Sequence, residues 1–473
     1  MARAAHRARL PPLGSTRKCP LPHTQAAADP KLSAAPKPSV WQLAWPSVIT
    51  NLLQSTVGLT DVKVVGTLGA SAVAAATTGH RLFFALQAVL MGVSVGTTAL
   101  VARAWGAGDR PEAAQVLRSS LTLAAGIALA MTLLGVLLAA PFASLFGLPT
   151  DARHLAATYM RWISVFTPVF AVGMMFFAAL RGAGDMRTPL WTGTITNLLN
   201  ILFLFLLVYG GWGFPKIGIR GAALAGGLAF CAVALLLLVL WRSGRLCIPL
   251  AARDAGHRER VRALLRVGVP AAAEQLVVQG GFIAFTFIVA RYFGTQALAA
   301  YGIGVQILSL SFVVGFGFSI AASTLVGQHL GARDPEAAAQ SGWRAMRLAI
   351  VSMSALALVI VGFADAIARA MLDEPEVARL TAVFIRLLGA AQPLMAIDYA
   401  LSGALRGAGD TRFPLLSTFS GLICGRVLLA ALFTIAQQPV EWIYAALLAD
   451  YAIKALMLIV RFRSGRWRAA LAL

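Results

Sequence analysis

Leu180-Arg181-Gly182-Ala183-Gly184-Asp185 recurs as Leu405-Arg406-Gly407-Ala408-Gly409-Asp410, 225 residues later. The same step carries Gly106-Ala107-Gly108-Asp109 onto Gly331-Ala332-Arg333-Asp334. It also carries Gly69, Ala74 and Ala75 onto Gly294, Ala299 and Ala300. Nearer the start of each half the step is 224, pairing Pro46 with Pro270, so one residue has been inserted, near Gly280-Gly281. Three matches in a single register describe a chain built of two similar halves.

The material between these markers is apolar. Of the 473 residues 59% are hydrophobic and only 12% charged, with a mean hydropathy of +0.77, whereas a soluble domain carries about a quarter charged residues. Twelve stretches are long enough to cross the roughly 30 Å hydrocarbon layer: about 41–62, 77–100, 116–140, 155–179, 189–209, 219–241, 266–290, 298–325, 342–363, 378–403, 413–435 and 442–460. Hydrocarbon offers backbone groups no water, so a span must be a helix or a closed barrel. The length of these runs and their lack of dyad alternation exclude the barrel. The expected fold is an all-α polytopic membrane protein with twelve transmembrane helices in two homologous six-helix lobes. Its expected divisions are a disordered basic tail (1–40), a first lobe (41–241), a basic linker (242–265), a second lobe (266–460) and a short tail (461–473).

The formal charge of +21 invites a nucleic-acid reading that its distribution rejects. Lys and Arg gather on one side of the spans, as Arg242, Arg245, Arg253, Arg258, Arg260, Arg262 and Arg266 in the linker and Arg461, Arg463, Arg466 and Arg468 at the end. This positive-inside pattern puts both termini in the cytoplasm of a multi-pass inner (plasma) membrane protein. It leaves no charge for nucleic acid to explain. Residues 1–38 lack the apolar core of a secretory signal. They read as a cytoplasmic tail, or as an organelle transit sequence with Asp29 its only acid. Cys19, Cys231, Cys247 and Cys424 have no metal-ligand spacing, and no Walker motif is present. The chain is not expected to be an enzyme or to hold a cofactor. Any pumping is expected to draw on an ion gradient.

The two Arg-Gly-Ala-Gly-Asp runs are expected to end helices 4 and 10 on the cytoplasmic side, with Pro189 and Pro414 opening the next helices. Ionisable residues inside the spans are costly and each is a functional candidate. Asp61 lies in helix 1 with Gln54 two turns earlier on nearly the same face; Tyr159 in helix 4 and Asn200 in helix 5 could complete a polar cluster. Such a carboxylate is a proton site or half a sodium site, or else an interfacial acid paired with Lys63. In the second lobe Glu274, Gln279, Asp398 and Tyr399 are candidates for substrate binding or coupling, although Glu274 could instead face Arg262 or Arg266. Asp450 and Lys454, four apart, read as a self-satisfying ion pair, and Arg426 as a partner of Asp398 or a cavity cation. His80 reads as interfacial.

Pro46 through Asp61, Val65-Gly66-Thr67-Leu68-Gly69, Gly106-Ala107-Gly108-Asp109, both Leu-Arg-Gly-Ala-Gly-Asp runs and Gly268-Val269-Pro270 together resemble the multidrug and toxic compound extrusion (MATE) family. The resemblance covers about 41–460 and is nearest to the DNA-damage-inducible branch. It implies a twelve-helix antiporter that exports amphipathic, cationic organic compounds by alternating access in exchange for protons or sodium. The family's first-helix acid and preceding glutamine fall on Asp61 and Gln54, and the tyrosine and asparagine of archaeal relatives on Tyr159 and Asn200. Those relatives' second carboxylate is Leu204 here, and their sixth-helix threonine is lost around Ala222. That makes a poor cage for a hard cation and points to H+, with Na+ as the alternative. The family's helix-7 acid lies deeper than Glu274, and its helix-10 aspartate is three residues out of register with Asp398. The expected partners are small organic substrates and membrane lipid. One chain already supplies both lobes, so a monomer suffices. A lipid-linked precursor flippase is the rival, and it would use Arg426 and Arg386 rather than Asp61.

Overall fold

The computed structural model describes residues 39–144, 149–210, 216–250, 256–371 and 374–470. The expected tail, up to residue 38, lies outside them. Regular structure among the described residues is entirely helical. The first half holds α1 (Val40–Gly66), α2 (Ala70–Gly106), α3 (Arg110–Leu137), α4 (Ala139–Ser144), α5 (Thr150–Val165), α6 (Thr167–Gly182), α7 (Arg187–Tyr209) and α8 (Ile219–Arg242). The second holds α9 (His257–Gly331), α10 (Pro335–Gly362), α11 (Ala364–Met371), α12 (Pro375–Gly407) and α13 (Arg412–Ser420). A π-helical stretch (Gly421–Leu428), α14 (Leu429–Ile435) and α15 (Val440–Arg463) complete it.

Nine of these helical segments are long and apolar enough to cross a membrane, or ten when α5 and α6, bent by 49°, count as one span. The expected twelve is therefore not met by a direct count. α1 falls outside that set; Asn51, Gln54, Asp61 and Lys63 interrupt its apolar run. α9 counts once although its backbone leaves the helical region at Gly294 (φ 78°), the repeat mate of Gly69 (φ 103°), where α1 gives way to α2.

The repeated motifs fold alike down to single hydrogen bonds. Asp185 N–H donates to Leu180 O and Asp410 N–H to Leu405 O, both at 2.9 Å, the wrapped ending that a left-handed glycine permits. The glycines are Gly184 and Gly409, each at φ 86°. Asp109 and Asp334 cap α3 and α10 by accepting from Glu112 N–H and Ala337 N–H, both at 2.9 Å. In that turn Gly108 (φ 77°) is matched by Arg333 (φ 58°), a conformation a residue with a Cβ adopts at some cost.

The halves are tied at the end that carries these turns. Val40 and Leu43 of α1 are buried in the core of the second half, while Leu264 and Val267 of α9, their mates at the 224-residue step, are buried in the core of the first. Each half thus lends the start of one helix to the other. Close backbone approaches extend the seam. A Cβ on Gly106 would overlap the Gln328 carbonyl, and one on Gly331 the Arg103 carbonyl. Thr324 Oγ1 donates to Arg181 O at 3.0 Å and Gln328 Nε2 to Gly182 O at 2.9 Å. Arg260 and Glu112 add an ion pair at 2.7 Å.

Gly331→Val is therefore expected to disfavour this closed seam by about 1–3 kcal/mol, the usual cost of overpacking. Spin labels placed across the seam should report a longer separation in the variant. An unchanged distance distribution would mean that the contact yields without opening.

Candidate functional site

Asp61 lies one and a half turns from the end of α1, where the helix runs beside α7. Its Oδ1 is buried and has no hydrogen-bond partner among the described residues. Asn200 of α7 and Tyr159 of α5 lie near the Asp61 side chain. The Tyr159 ring is 6% exposed and packs where α2 has Gly79, whose absent Cβ would lie 2.5 Å from the ring. The Tyr159 hydroxyl meets His80 Nδ1 of α2 at 3.3 Å. Four helices therefore contribute to one polar cluster.

Three of the four first-lobe candidates come together: Asp61, Tyr159 and Asn200. Gln54 does not join them directly. It is exposed, and seven residues of helix put it about 10 Å along the axis from Asp61. No ion pair joins Asp61 to Lys63 among the described residues, and Lys63 is exposed. His80 was expected at the interface, and its bond to Tyr159 makes it a member of the cluster that sequence reasoning missed. Asn197, one turn before Asn200, was also missed: it is 6% exposed and its Nδ2 has no partner among the described residues. Its spacing of three from Asn200 was the available signal.

The positions expected to decide the coupling ion are filled with hydrocarbon. Leu204 is fully buried against Val64, Leu207, Val208 and Ala225, with Ala222 packed on the same cluster. Among the described residues no group of three or more His, Cys, Asp or Glu side chains could hold a metal ion.

The second-lobe candidates are held differently. Glu274 on α9 is 4% exposed and is gripped by Arg406 of the repeated motif, Nη2 to Oε1 at 2.6 Å and Nε to Oε2 at 3.3 Å. Thr418 donates to it at 3.2 Å. Its cation is thus Arg406, not Arg262 or Arg266. Gln279 is exposed. Asp398 accepts from Ser402 Oγ at 3.1 Å. Tyr399 packs edge-on against Phe312 and Phe316, ring centres 6.1 and 5.1 Å away, over Gly315, which leaves room for its ring.

Arg426 pairs with Asp450 at 2.5 Å rather than with Asp398, and Lys454 pairs with the same carboxylate at 2.9 Å. All three are at most 5% exposed. Arg426 also lies over the Phe282 and Tyr451 rings at 5.2 and 5.6 Å. The π-helical stretch carries Arg426, and Gly421 and Gly425 within it bring the chain against Asp450.

The repeat does not duplicate these clusters. At the 225-residue step Tyr159, Asn200 and His80 fall on Phe384, Gly425 and Val305, while Arg426, Asp450 and Lys454 fall back on Ile201, Ala225 and Ala229. Each half has its polar centre where the other is hydrocarbon.

The MatE family model matches twice, over residues 46–206 and 270–431; the matches start 224 residues apart and end 225 apart, as the internal repeat does. A Thermotoga maritima protein named "Probable multidrug resistance protein NorM" is 30% identical over 437 residues, covering 90% of this chain and 92% of the relative. The Burkholderia vietnamiensis "Multidrug resistance protein NorM" is 31% identical over 405 residues, covering 84% and 86%. Among solved structures, the Vibrio cholerae MATE transporter VcmN in the bent form superposes with a TM-score of 0.84 at 20% identity, covering 91% of this chain and 97% of that one. A MOP superfamily transporter from Pyrococcus furiosus gives 0.83 at 21%, covering 92% and 96%. At such identities the likeness concerns the fold.

Proposed function

The chain belongs to the MatE family, and from that premise we propose that it exports amphipathic organic compounds by alternating access, in exchange for an entering ion. It is a membrane transporter, not an enzyme. The observation that carries the mechanism is the buried, unpartnered Oδ1 of Asp61 in a lobe joined to its twin by a seam at one end. Relatives of the same fold are solved with straight and bent forms, so the fold supports more than one state. In our reading a proton reaches Asp61 from outside, cancels its charge and lets α1 repack against α7. Affinity for the exported compound falls and it leaves outward. The lobes then rock, the seam parts, the proton leaves to the cytoplasm and new substrate enters. Proton and substrate must favour different states for exchange to be coupled.

We count twelve spans in two six-helix lobes, 41–241 and 266–460: the ten above, α1, and one more where α9 divides at Gly294. Arginine-rich ends put both termini in the cytoplasm and the seam on the cytoplasmic side of the inner membrane. Two lobes in one chain make the unit a monomer. The exported compounds are cations in this reading, since a carboxylate that alternately loses and regains its charge suits them. Asp61 and its neighbours favour the DNA-damage-inducible branch.

Protons are the preferred coupling ion because buried Leu204 and Ala222 leave a sodium ion too few oxygens. Sodium coupling is the second reading. The flippase reading loses support, because Arg386 pairs with Asp365 at 2.5 Å and Arg426 with Asp450, leaving neither free for a pyrophosphate. Ethidium efflux from proteoliposomes tests the proposal: a pH gradient without sodium is expected to drive export. Efflux that waits for sodium would overturn proton coupling, and no efflux with either ion would overturn the antiport.

A further inference from the structure

A cavity of about 580 Å³ opens between the start of α1 and the facing surfaces of α9 and α10. Nothing in the transport cycle above uses it. Its polar wall is Arg344 and Arg347, one turn apart on α10, with Ser341 a turn earlier and His329 from the last turn of α9. Both arginines are exposed and neither has an ion-pair partner among the described residues; no carboxylate lines the cavity. The apolar wall includes Trp41, 54% exposed, and Leu348, 39% exposed. After Arg347, α10 runs from Leu348 to Gly362 without a charged residue. The arginines therefore stand where the helix enters hydrocarbon, and Trp41 is a side chain suited to that depth.

The repeat supplies a control within the molecule. At the 225-residue step Arg344 and Arg347 fall on Ser119 and Thr122. At the corresponding place in the first half Ser119 Oγ meets His257 Nδ1 at 3.0 Å, and Arg260 of α9 pairs with Glu112 at 2.7 Å. The mate of Glu112 in the second half is Ala337. The first-half groups pair with one another, whereas Arg344 and Arg347 have no ion-pair partner among the described residues.

We propose that this crevice binds the phosphate of an anionic membrane phospholipid, with an acyl chain lying along Trp41 and Leu348. Two forked guanidinium groups suit a phosphate oxygen pair, and basic pockets between helices at the cytoplasmic leaflet take anionic headgroups. The occupant touches α1 of the first lobe and α9 and α10 of the second, so it clasps the lobes beside the closed seam. The inference rests on the reading above only for assigning the crevice to the cytoplasmic leaflet.

Native mass spectrometry of the detergent-purified full chain tests it with phosphatidylglycerol, phosphatidylcholine and inorganic phosphate as separate probes. One phosphatidylglycerol is expected to be retained, and to be held about thirtyfold more weakly after Arg344→Gln with Arg347→Gln, at the usual contribution of each basic residue near anionic lipid. Arg344→Lys with Arg347→Lys should keep most of the binding. Thermal unfolding of the Gln pair should match the unsubstituted chain, since both side chains are exposed. Equal retention by the Gln pair, or phosphatidylcholine held as well as phosphatidylglycerol, overturns the proposal. Saturation by inorganic phosphate alone overturns it in favour of a soluble anion. Binding is read without an ion gradient, so its failure leaves the antiport reading standing, and failed efflux leaves the lipid site standing.

Discussion

Asp61→Asn is expected to reduce ethidium efflux driven by a pH gradient to the passive leak, at least tenfold below the intact protein, while ethidium binding changes by less than about threefold. The substitution keeps shape and hydrogen-bonding capacity and removes the proton exchange. It acts on a carboxylate whose Oδ1 has no partner among the described residues and whose known contact is Asn200. Among the described residues no cation pairs with that carboxylate, so in the proposed cycle its protonation state is free to follow the state of the lobe. A static carboxamide cannot favour one state outside and another inside, and a ligand or charge with equal preference for two states shifts neither. Equilibrium binding by fluorescence and efflux from the same proteoliposomes would separate the two effects. Continued pumping on protons alone would move coupling to Asp398, the second-lobe acid whose direct hydrogen bond comes from a hydroxyl, Ser402.

Asp450→Ala should be the most damaging single change to stability, at about 3–5 kcal/mol. It leaves the Arg426 guanidinium and the Lys454 ammonium buried together without the carboxylate that joins them. The chain has also shaped itself around that carboxylate, since a Cβ on Gly421 would come 2.5 Å from Asp450 Oδ1 and one on Gly425 2.7 Å from its Cα. Replacing all three groups at once, by Arg426→Met, Asp450→Leu and Lys454→Met, should cost far less than the single change, because hydrocarbon of similar volume avoids the desolvation penalty. Thermal unfolding in detergent reads both variants. If the triple variant keeps its efflux, the ion triad serves the fold; if it is stable but silent, the triad takes part in transport.

Much of this architecture was legible because it depends on local chemistry. A glycine in a left-handed turn needs no distant partner, so the two Arg-Gly-Ala-Gly-Asp endings could be read from the chain; the Asp109 and Asp334 caps are equally local but went unread. The Asp450–Lys454 pair was legible for the same reason, both groups lying on one helix. Mutual rotation of helices is not local. Nothing along the chain tells that Tyr159 turns toward His80, that Arg406 reaches back to Glu274, or that Arg426 meets Asp450 instead of Asp398. The crossed starts of α1 and α9 were hidden too, since both stretches are simply apolar. The apolar runs were read as breaking between residues 290 and 298, and the backbone leaves the helical region there at Gly294, although the helix continues on both sides.

In the proposed cycle the unequal furnishing of the two halves implies one proton per turnover. In the second half Glu274 and Asp450 are paired with cations and Asp398 accepts from the Ser402 hydroxyl, while in the first half Asp61 has neither an ion pair nor a hydroxyl donor among the described residues. One proton entering for each monovalent cation leaving moves no net charge across the membrane. Such an exchanger would respond to the pH difference and ignore the electrical potential. In vesicles clamped with potassium and valinomycin, the export rate should stay the same from zero to strongly negative voltage. A neutral substrate leaving by the same route would make the cycle electrogenic, so the cell's voltage would favour one class of compound over another through charge balance rather than through the shape of the cavity.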